Sequence, residues 1–259
     1  MENLTVIKIG GNVVDDPILL QEVLKHFTHL PGHKVLVHGG GKLATQMAEK
    51  LGLKAQMVEG RRMTDAAMLQ IVTMVYGGDI NKRIVASLQA TGCNALGLTG
   101  ADGNLIPAHK RQDATRDWGF VGDFDWAHIN TGLLMSLLAG GFTPVVAPLT
   151  HDGQGSMMNT NADTIASGLA RALARHYATT LIYAFEKKGV LRDIRDPDSV
   201  IPAINAQDYI ALKKEDVIAD GMIPKLDNAF DALNEGVQCI RICLATDIDH
   251  PENGTTLCL

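Results

Sequence analysis

The sequence predicts an α/β sandwich built around a largely parallel β-sheet, and three observations point there. Short β-branched, apolar runs alternate with helical patterns in almost every interval of the chain. Runs such as KVLVHG and TPVVAPL are apolar on both faces, as strands are when helices cover both sides of a sheet. The composition, 46% hydrophobic and 20% charged with 5% aromatic, is that of a globular chain, and 259 residues suffice for one large domain or two lobes.

In chain order, strands are expected over 4–9, 34–38, 95–99, 143–147, 180–184 and 237–243, each a short apolar run. Apolar spacing between and after them predicts helices over 17–29, 42–51, 64–76, 80–91, 130–139, 161–176 and 224–235. The first strand runs into Gly10 and Gly11; the second runs into Gly39, Gly40 and Gly41, with a helix following at once. Thr64 is the expected N-cap of helix 64–76, and Asn161 could simply be that of helix 161–176 or, with its neighbours, serve a ligand. Pro224 suits the first turn of the last helix and holds Lys225 at its N-terminus. Between 105 and 125, LIPAHK and FVGDFD predict a more irregular, antiparallel excursion. Continuity is weakest at 176–180, which suggests an N-terminal lobe over 1–177 and a C-terminal lobe over 178–259 sharing one sheet.

A net charge of −6, with no lysine-rich face and no basic and aromatic interleaving, argues against nucleic acid as a partner. An anionic ligand would therefore have to be held by a few local cations. No apolar run approaches membrane-spanning length, and the opening MENLTVIKIGG has no charged n-region followed by an apolar h-region, so a cytoplasmic protein is expected. Cys93, Cys239, Cys243 and Cys258 are scattered, and Cys239 and Cys243 lack the companion Cys/His pair of a zinc site, so the four are expected as buried free thiols with no bound metal.

Ligands of open parallel sheets bind outside the carboxyl ends of the strands, and two strand-end loops here are glycine-rich, KIGGN and HGGGK. Glycines let backbone N–H groups approach an anion closely, although neither loop has Walker A or dinucleotide spacing. Lys8, among β-branched residues, either escapes to solvent at an edge or reaches over the strand end toward these loops. In EGRRMTD, 59–65, one of two adjacent arginines could fork onto a carboxylate. MMNTNAD, 157–163, brings Asn159 and Asp163 to a helix start, where Asp163 could equally be a first-turn acid favoured by the dipole. In DGMIPK, 220–225, Lys225 opposes the macrodipole of its helix, a local cost that suggests an anionic ligand as compensation.

KIGG, VHGGGK, GRRMTD, NTNAD and DGMIPK, in this order and approximate spacing, resemble the amino acid kinase family over residues 5 to about 258. The resemblance implies a three-layer α/β/α fold with a mostly parallel central sheet, the N-terminal lobe holding an acylated glutamate and the C-terminal lobe ATP. It implies transfer of the ATP γ-phosphoryl group to the γ-carboxylate of an N-acyl-L-glutamate, acetyl favoured and succinyl possible, an early step of arginine biosynthesis. Mg²⁺ would travel on the nucleotide phosphates, and the chain would form a homodimer across its sheet. By the same resemblance Lys8 and Lys225 flank the transferring group, Gly10 and Gly11 serve the nucleotide phosphates, and Gly40 and Gly41 supply further loop amides. Arg62 and Asn159 would hold the α-carboxylate, and Asp163 would orient both lysines. The alternatives within this fold are a glutamate 5-kinase or aspartokinase-like activity, or a non-catalytic nucleotide sensor.

Two departures from the family pattern stand out. YAFEKKGVL, 183–191, replaces the usual small residue and aspartate after the first C-lobe strand, which puts the nucleotide contacts of Phe185, Glu186 and Lys187 in question. RDWGFVGDFDW, 116–126, is bulkier and more charged than expected near an acyl pocket, so Arg116 or a nearby lysine could pair an extra carboxylate such as that of a succinyl group. Arginine-inhibited relatives carry an additional N-terminal helix; with the first strand beginning by residue 4, a dimer without that inhibition is expected.

Overall fold

A computed structural model describes residues 1–58, 61–215, 217–218 and 222–259. Among the described residues eight strands form one sheet: β1 (Asn3–Ile9), β2 (His33–His38), β3 (Ala95–Leu98), β4 (Thr143–Val146), β5 (Ala178–Phe185), β6 (Ala203–Ile204), β7 (Cys239–Leu244) and β8 (Thr255–Leu257). Their order across the sheet is β6-β8-β7-β5-β1-β2-β4-β3. From β7 to β3 every neighbouring pair is parallel, and β8 turns back against β7. The six strands read from the sequence form that parallel run. The two that were missed, β6 and β8, have two and three residues, too few for any alternation to register.

The helices are α1 (Gly11–Asp15), α2 (Pro17–His29), α3 (Gly41–Lys50), α4 (Ala66–Val72), α5 (Asn81–Ala90), α6 (Thr131–Ala139), α7 (Ala162–Ala174), α8 (Ala206–Lys214) and α9 (Ile223–Asn234). Alternate residues of β1 feed two cores. Leu4 and Val6 pack with Leu134 of α6, Ile165 and Leu169 of α7 and Phe230 of α9. Ile7 and Ile9 pack on the other face with Phe27 of α2, Ala44 of α3, Ile71 of α4 and Ile84 of α5. Each fully buried Leu, Ile or Phe in these layers contributes about 1.5–3 kcal/mol, so the two helical layers hold the sheet from both sides. Lys8 follows Leu4 and Val6 on the α7 face, at the carboxyl end of the strand.

The helix expected over 64–76 is corrected at both ends. It begins at Ala66, and its N-cap is Asp65, whose carboxylate accepts from the Met68 amide at 2.8 Å. Thr64 is buried and engaged elsewhere, donating to the Arg62 carbonyl and accepting from the Asn159 amide, so it cannot cap. Beyond Val72 the coil widens into a π-helix over Thr73–Ile80 before α5 resumes. Helix α8 was missed because only Tyr209 and Leu212 of it are buried, although Asn205 and Asp208 form a capping box that marks its start.

The excursion after β3 is antiparallel, His109–Lys110 pairing with Gly122–Asp123. It interlocks with the antiparallel pair Leu149–His151 and Met157–Asn159 and with Arg61–Arg62. The Thr64 amide donates to the Trp118 carbonyl at 3.0 Å, and the Asn159 amide donates to the Phe120 carbonyl at 2.8 Å. Gly119 makes this junction possible: its φ is +71°, and a Cβ there would lie 2.1 Å from the Thr64 carbonyl oxygen. These loops bring Arg62 and Asn159 to one side of the strand ends.

Candidate active site

The carboxyl ends of β1, β2 and β5 open into a cleft whose central part, about 620 Å³, is lined by Lys8, Gly10, Gly11, Gly41, Arg62, Glu186 and Lys225 among others. Lys8 turns from the sheet toward α7 and places its Nζ 2.8 Å from Asp163 Oδ1. Lys225, on the first turn of α9, places its Nζ 3.6 Å from Asp163 Oδ2. The Lys8 contact is an ion pair. Asp163 sits where it does because Asn161 caps α7, accepting from the Asp163 and Thr164 amides at 2.8 and 3.1 Å.

Burial works against the charge of Asp163, yet the two ammonium groups outweigh it and hold the carboxyl below its ordinary value of 3.8. Burial and the neighbouring Lys8 charge push the Lys225 ammonium down from 10.5, while Asp163 opposes them. Lys225 also stands over two aromatic rings, 5.4 Å from the centroid of Tyr183 and 4.9 Å from that of Phe185. Burial of the Tyr183 hydroxyl raises its proton affinity, so the ring stays neutral beneath the cation. A carboxylate between two cations leaves net positive charge facing the cleft, which suits a polyanion.

The two glycine loops meet there. The Gly39 amide continues the sheet by donating to the Ile9 carbonyl at 3.1 Å, and the Gly10 amide donates to the Ala184 carbonyl at 3.1 Å. Gly11 faces the Gly40 and Gly41 nitrogens so closely that a Cβ on it would lie 3.7 Å from each. Helix α3 starts at Gly41, so its first amides have no intrahelical partner. On the far side from Lys225, Gly40, Gly41, Arg61, Arg62, Tyr76, Arg111 and Asn159 line a smaller recess continuous with the cleft. Arg62 is buried and fixed by bonds from Nη2 to the Gly41 carbonyl at 2.7 Å and Thr45 Oγ1 at 2.8 Å. Asn159 is held by its Nδ2 bond to Thr64 Oγ1 at 2.9 Å.

At the opposite end, Phe185, Glu186, Lys187, Val190, Ile194 and Met222 line a mostly apolar recess. The departure from the family pattern at Phe185–Lys187 thus forms the wall between this recess and the central cleft. Arg116 does not face the other recess: it is exposed and stacks on Trp118, 5.4 Å from its centroid. Arg111 does line it, but forks onto Asp123, with Nε 2.9 Å from Oδ2.

Of the site residues singled out in the sequence, Lys8, Gly10, Gly11, Gly41, Arg62 and Lys225 line the cleft, Gly40 and Asn159 line the adjoining recess, Asp163 is held between the two lysines, and Arg116 lies outside. Asp220 and Gly221 of the DGMIPK motif, and Glu59 and Gly60 before the arginines, lie outside the described residues. Sequence reasoning missed Arg111, Tyr76 and the Tyr183 ring. Arg111 and Tyr76 belong to no glycine-rich or strand-end motif, and although Tyr183 opens YAFEKKGVL, only the fold places its ring under Lys225. The expectation of buried thiols holds for Cys93 and Cys243 and is corrected for Cys239, which is partly buried, and for Cys258, which is exposed next to the chain's last residue. Among the described residues no helix is long and apolar enough to cross a membrane.

The model of the amino acid kinase family matches residues 3–244. The chain is 56% identical to the acetylglutamate kinase of Cytophaga hutchinsonii, covering 96% of this chain and 94% of that one. It is 54% identical to the acetylglutamate kinase of Bacteroides fragilis, covering 99% and 97%. Among solved structures, the N-acetylglutamate synthase of Neisseria gonorrhoeae complexed with coenzyme A and N-acetyl-glutamate superposes with a TM-score of 0.81 at 22% identity. That match covers 99% of this chain and 59% of the synthase chain, and at this identity it bears on fold alone. With its sheet order, its five motifs gathered on one cleft and these full-length relatives, the chain belongs to the amino acid kinase family.

Proposed function

We infer that this chain is an enzyme that transfers the γ-phosphoryl group of ATP to the γ-carboxylate of N-acetyl-L-glutamate, an early step of arginine biosynthesis, as its acetylglutamate kinase relatives are named for doing. One observation carries the reading: Lys8 and Lys225, from opposite ends of the chain, face one carboxylate at the centre of a cleft with a polar recess on one side and an apolar recess on the other.

The acceptor carboxylate has an ordinary pKa near 4.3 and is already ionised at neutral pH, so no general base is required. What opposes reaction is repulsion between two anions, and this chain's contribution is to hold them in line and neutralise charge. In this reading Arg62 and Asn159 take the α-carboxylate, which leaves the side-chain carboxylate directed toward Lys8. The Gly40 and Gly41 amides and Lys8 receive negative charge on the transferring oxygens, Gly10 and Gly11 line the ATP phosphates, and Lys225 stabilises the departing ADP oxygen. One carboxylate oxygen forms the new O–P bond as the bond from phosphorus to the β,γ-bridging oxygen breaks, and no proton needs to move. Asp163 keeps both ammonium groups in the cleft when no substrate is there.

Among the described residues no group of three or more His, Cys, Asp or Glu side chains could hold a metal ion, and Asp163 is engaged by lysines. The donor set therefore fits Mg²⁺ carried on the ATP phosphates, where it would offset their charge. The pairing of Arg111 with Asp123 leaves the recess without an unneutralised cation from that side chain, which supports the uncharged acetyl group over succinyl. The apolar recess at Phe185, Val190, Ile194 and Met222 would take the adenine. The two lobes, 1–177 for the acceptor and 178–259 for the nucleotide, a homodimer and a cytoplasmic location go with this reading; sedimentation and cell fractionation test the last two.

The decisive assay traps acyl phosphate with hydroxylamine in the presence of ATP and Mg²⁺. N-acetylglutamate should react, and glutamate and aspartate should not. Faster turnover of N-succinylglutamate would replace the acetyl assignment, and absence of product from every acid would overturn the reading.

A further inference from the structure

His38 is fully buried at the end of β2, away from the substrate contacts of the cleft. A buried imidazole costs free energy that a leucine at this place would not, so its hydrogen bonds matter. Its Nδ1 lies 2.9 Å from the carbonyl oxygen of Gly39, and its Nε2 lies 3.3 Å from Nδ2 of Asn81. The Asn81 amide is itself fixed, because Nδ2 also donates to the Val145 carbonyl at 3.0 Å and Oδ1 accepts from Lys82 Nζ at 3.2 Å. Since Asn81 donates, Nε2 accepts, and the proton must sit on Nδ1, where it donates to Gly39. Burial drives the imidazole pKa down to about 4, partly offset by the Gly39 bond, so this tautomer persists at neutral pH.

The geometry around this relay is costly to build. Asn81 opens α5 directly after the π-helix, and the same π-helix packs Ile80 and Tyr76 against Gly40, where a Cβ would lie 2.2 Å from Ile80 Cδ1. Gly97 of β3 leaves room for the Asn81 amide, since a Cβ there would lie 1.9 Å from Oδ1. In a trans peptide the C=O and the following N–H point in opposite directions. A donor that draws the Gly39 oxygen inward therefore turns the Gly40 N–H outward, toward the space it shares with Gly11.

We propose that His38 is a positioning residue: held by Asn81, its Nδ1–H grips the Gly39 carbonyl and so aims the Gly40 amide at the transferring phosphoryl group. The role of that amide rests on the function inferred above. Its aim does not, and the two are tested separately.

His38→Leu keeps the volume and removes the donor, whereas His38→Asn keeps an amide donor near the position of Nδ1. His38→Leu should lower kcat at least about tenfold, the order expected when one preorganised donor is misdirected, with KM for ATP within about threefold. His38→Asn should recover a substantial part of that loss. Equal kcat for the leucine variant and wild type, or no difference between the two variants when both melt like wild type, overturns the proposal. Imidazole ¹⁵N shifts of the wild-type protein read the tautomer even if both variants misfold, and the Gly40 amide shift reads the peptide in any variant that folds. A proton on Nε2, titration of His38 near 6.5, or a Gly40 amide unmoved in His38→Leu sinks it. A wild-type protein that phosphorylates none of the acids, yet shows the expected tautomer and Gly40 shift, fails the function and leaves the His38 geometry standing.

Discussion

Replacing Asp163 by Asn tests the charge arrangement most directly, because it changes no volume and removes the anion between two cations. At an effective dielectric constant of about 20, unit charges at the observed 2.8 and 3.6 Å attract by about 6 and about 5 kcal/mol. Desolvation of three mostly buried groups cancels much of that, and removing one member of such a cluster costs about 3 kcal/mol at the low end of the usual range. If that loss falls on the transition state, kcat drops about a hundredfold. The pH profile should move as well. Lys225 already has a lowered pKa through burial and Lys8, and Asp163 is the main group opposing this. Without it the ammonium loses its proton at lower pH, so the basic limb of kcat shifts toward acid. Stopped-time hydroxamate assays from pH 6 to 10, with circular dichroism to check folding, measure both effects. A folded Asp163→Asn enzyme with kcat within about threefold of wild type and an unmoved basic limb refutes the reasoning.

Truncating either cation removes charge from the cleft, so Lys8→Ala and Lys225→Ala should each lower kcat at least about a hundredfold, read in the same assay. The Asp163 carboxyl titrates below its ordinary value in the folded protein, so its contribution to stability is present above that value and disappears as pH falls through the lowered one. The gap in urea midpoint between wild type and Asp163→Asn should therefore hold near neutrality and close below about pH 4. Gly119→Ala forces a side chain into a left-handed backbone against the Thr64 carbonyl. A loss of at least about 2 kcal/mol, or a Tm lower by about 4–8 °C by calorimetry, is expected, with KM for the acceptor raised because Thr64 positions Asn159.

The layers and the six parallel strands were legible in the sequence because each depends on a local period, the double-sided apolar run of a covered strand or the 3.6-residue stripe of a helix. The motif residues were legible for a related reason: glycine pairs, adjacent arginines and a lysine at a helix start each violate a local preference, and the violation is visible without a partner. Thr64 misled because its composition suits a cap, while burial and the Asn159 contact gave its hydroxyl other partners. Arg116 misled because charge near a pocket in sequence says nothing of direction, and Trp118 carries it outward.

Local pattern thus determined which residues are unusual and which elements carry them. The family resemblance already implied that Lys8, Asp163 and Lys225 meet, but tertiary structure alone decided their distances, that Tyr183 and Phe185 lie under an ammonium, and that His38 meets Asn81 and the Gly39 carbonyl. Such contacts depend on strand order and on how each helix sits over the sheet. No periodicity in the chain encodes the distance between residues that only crossover connections bring together.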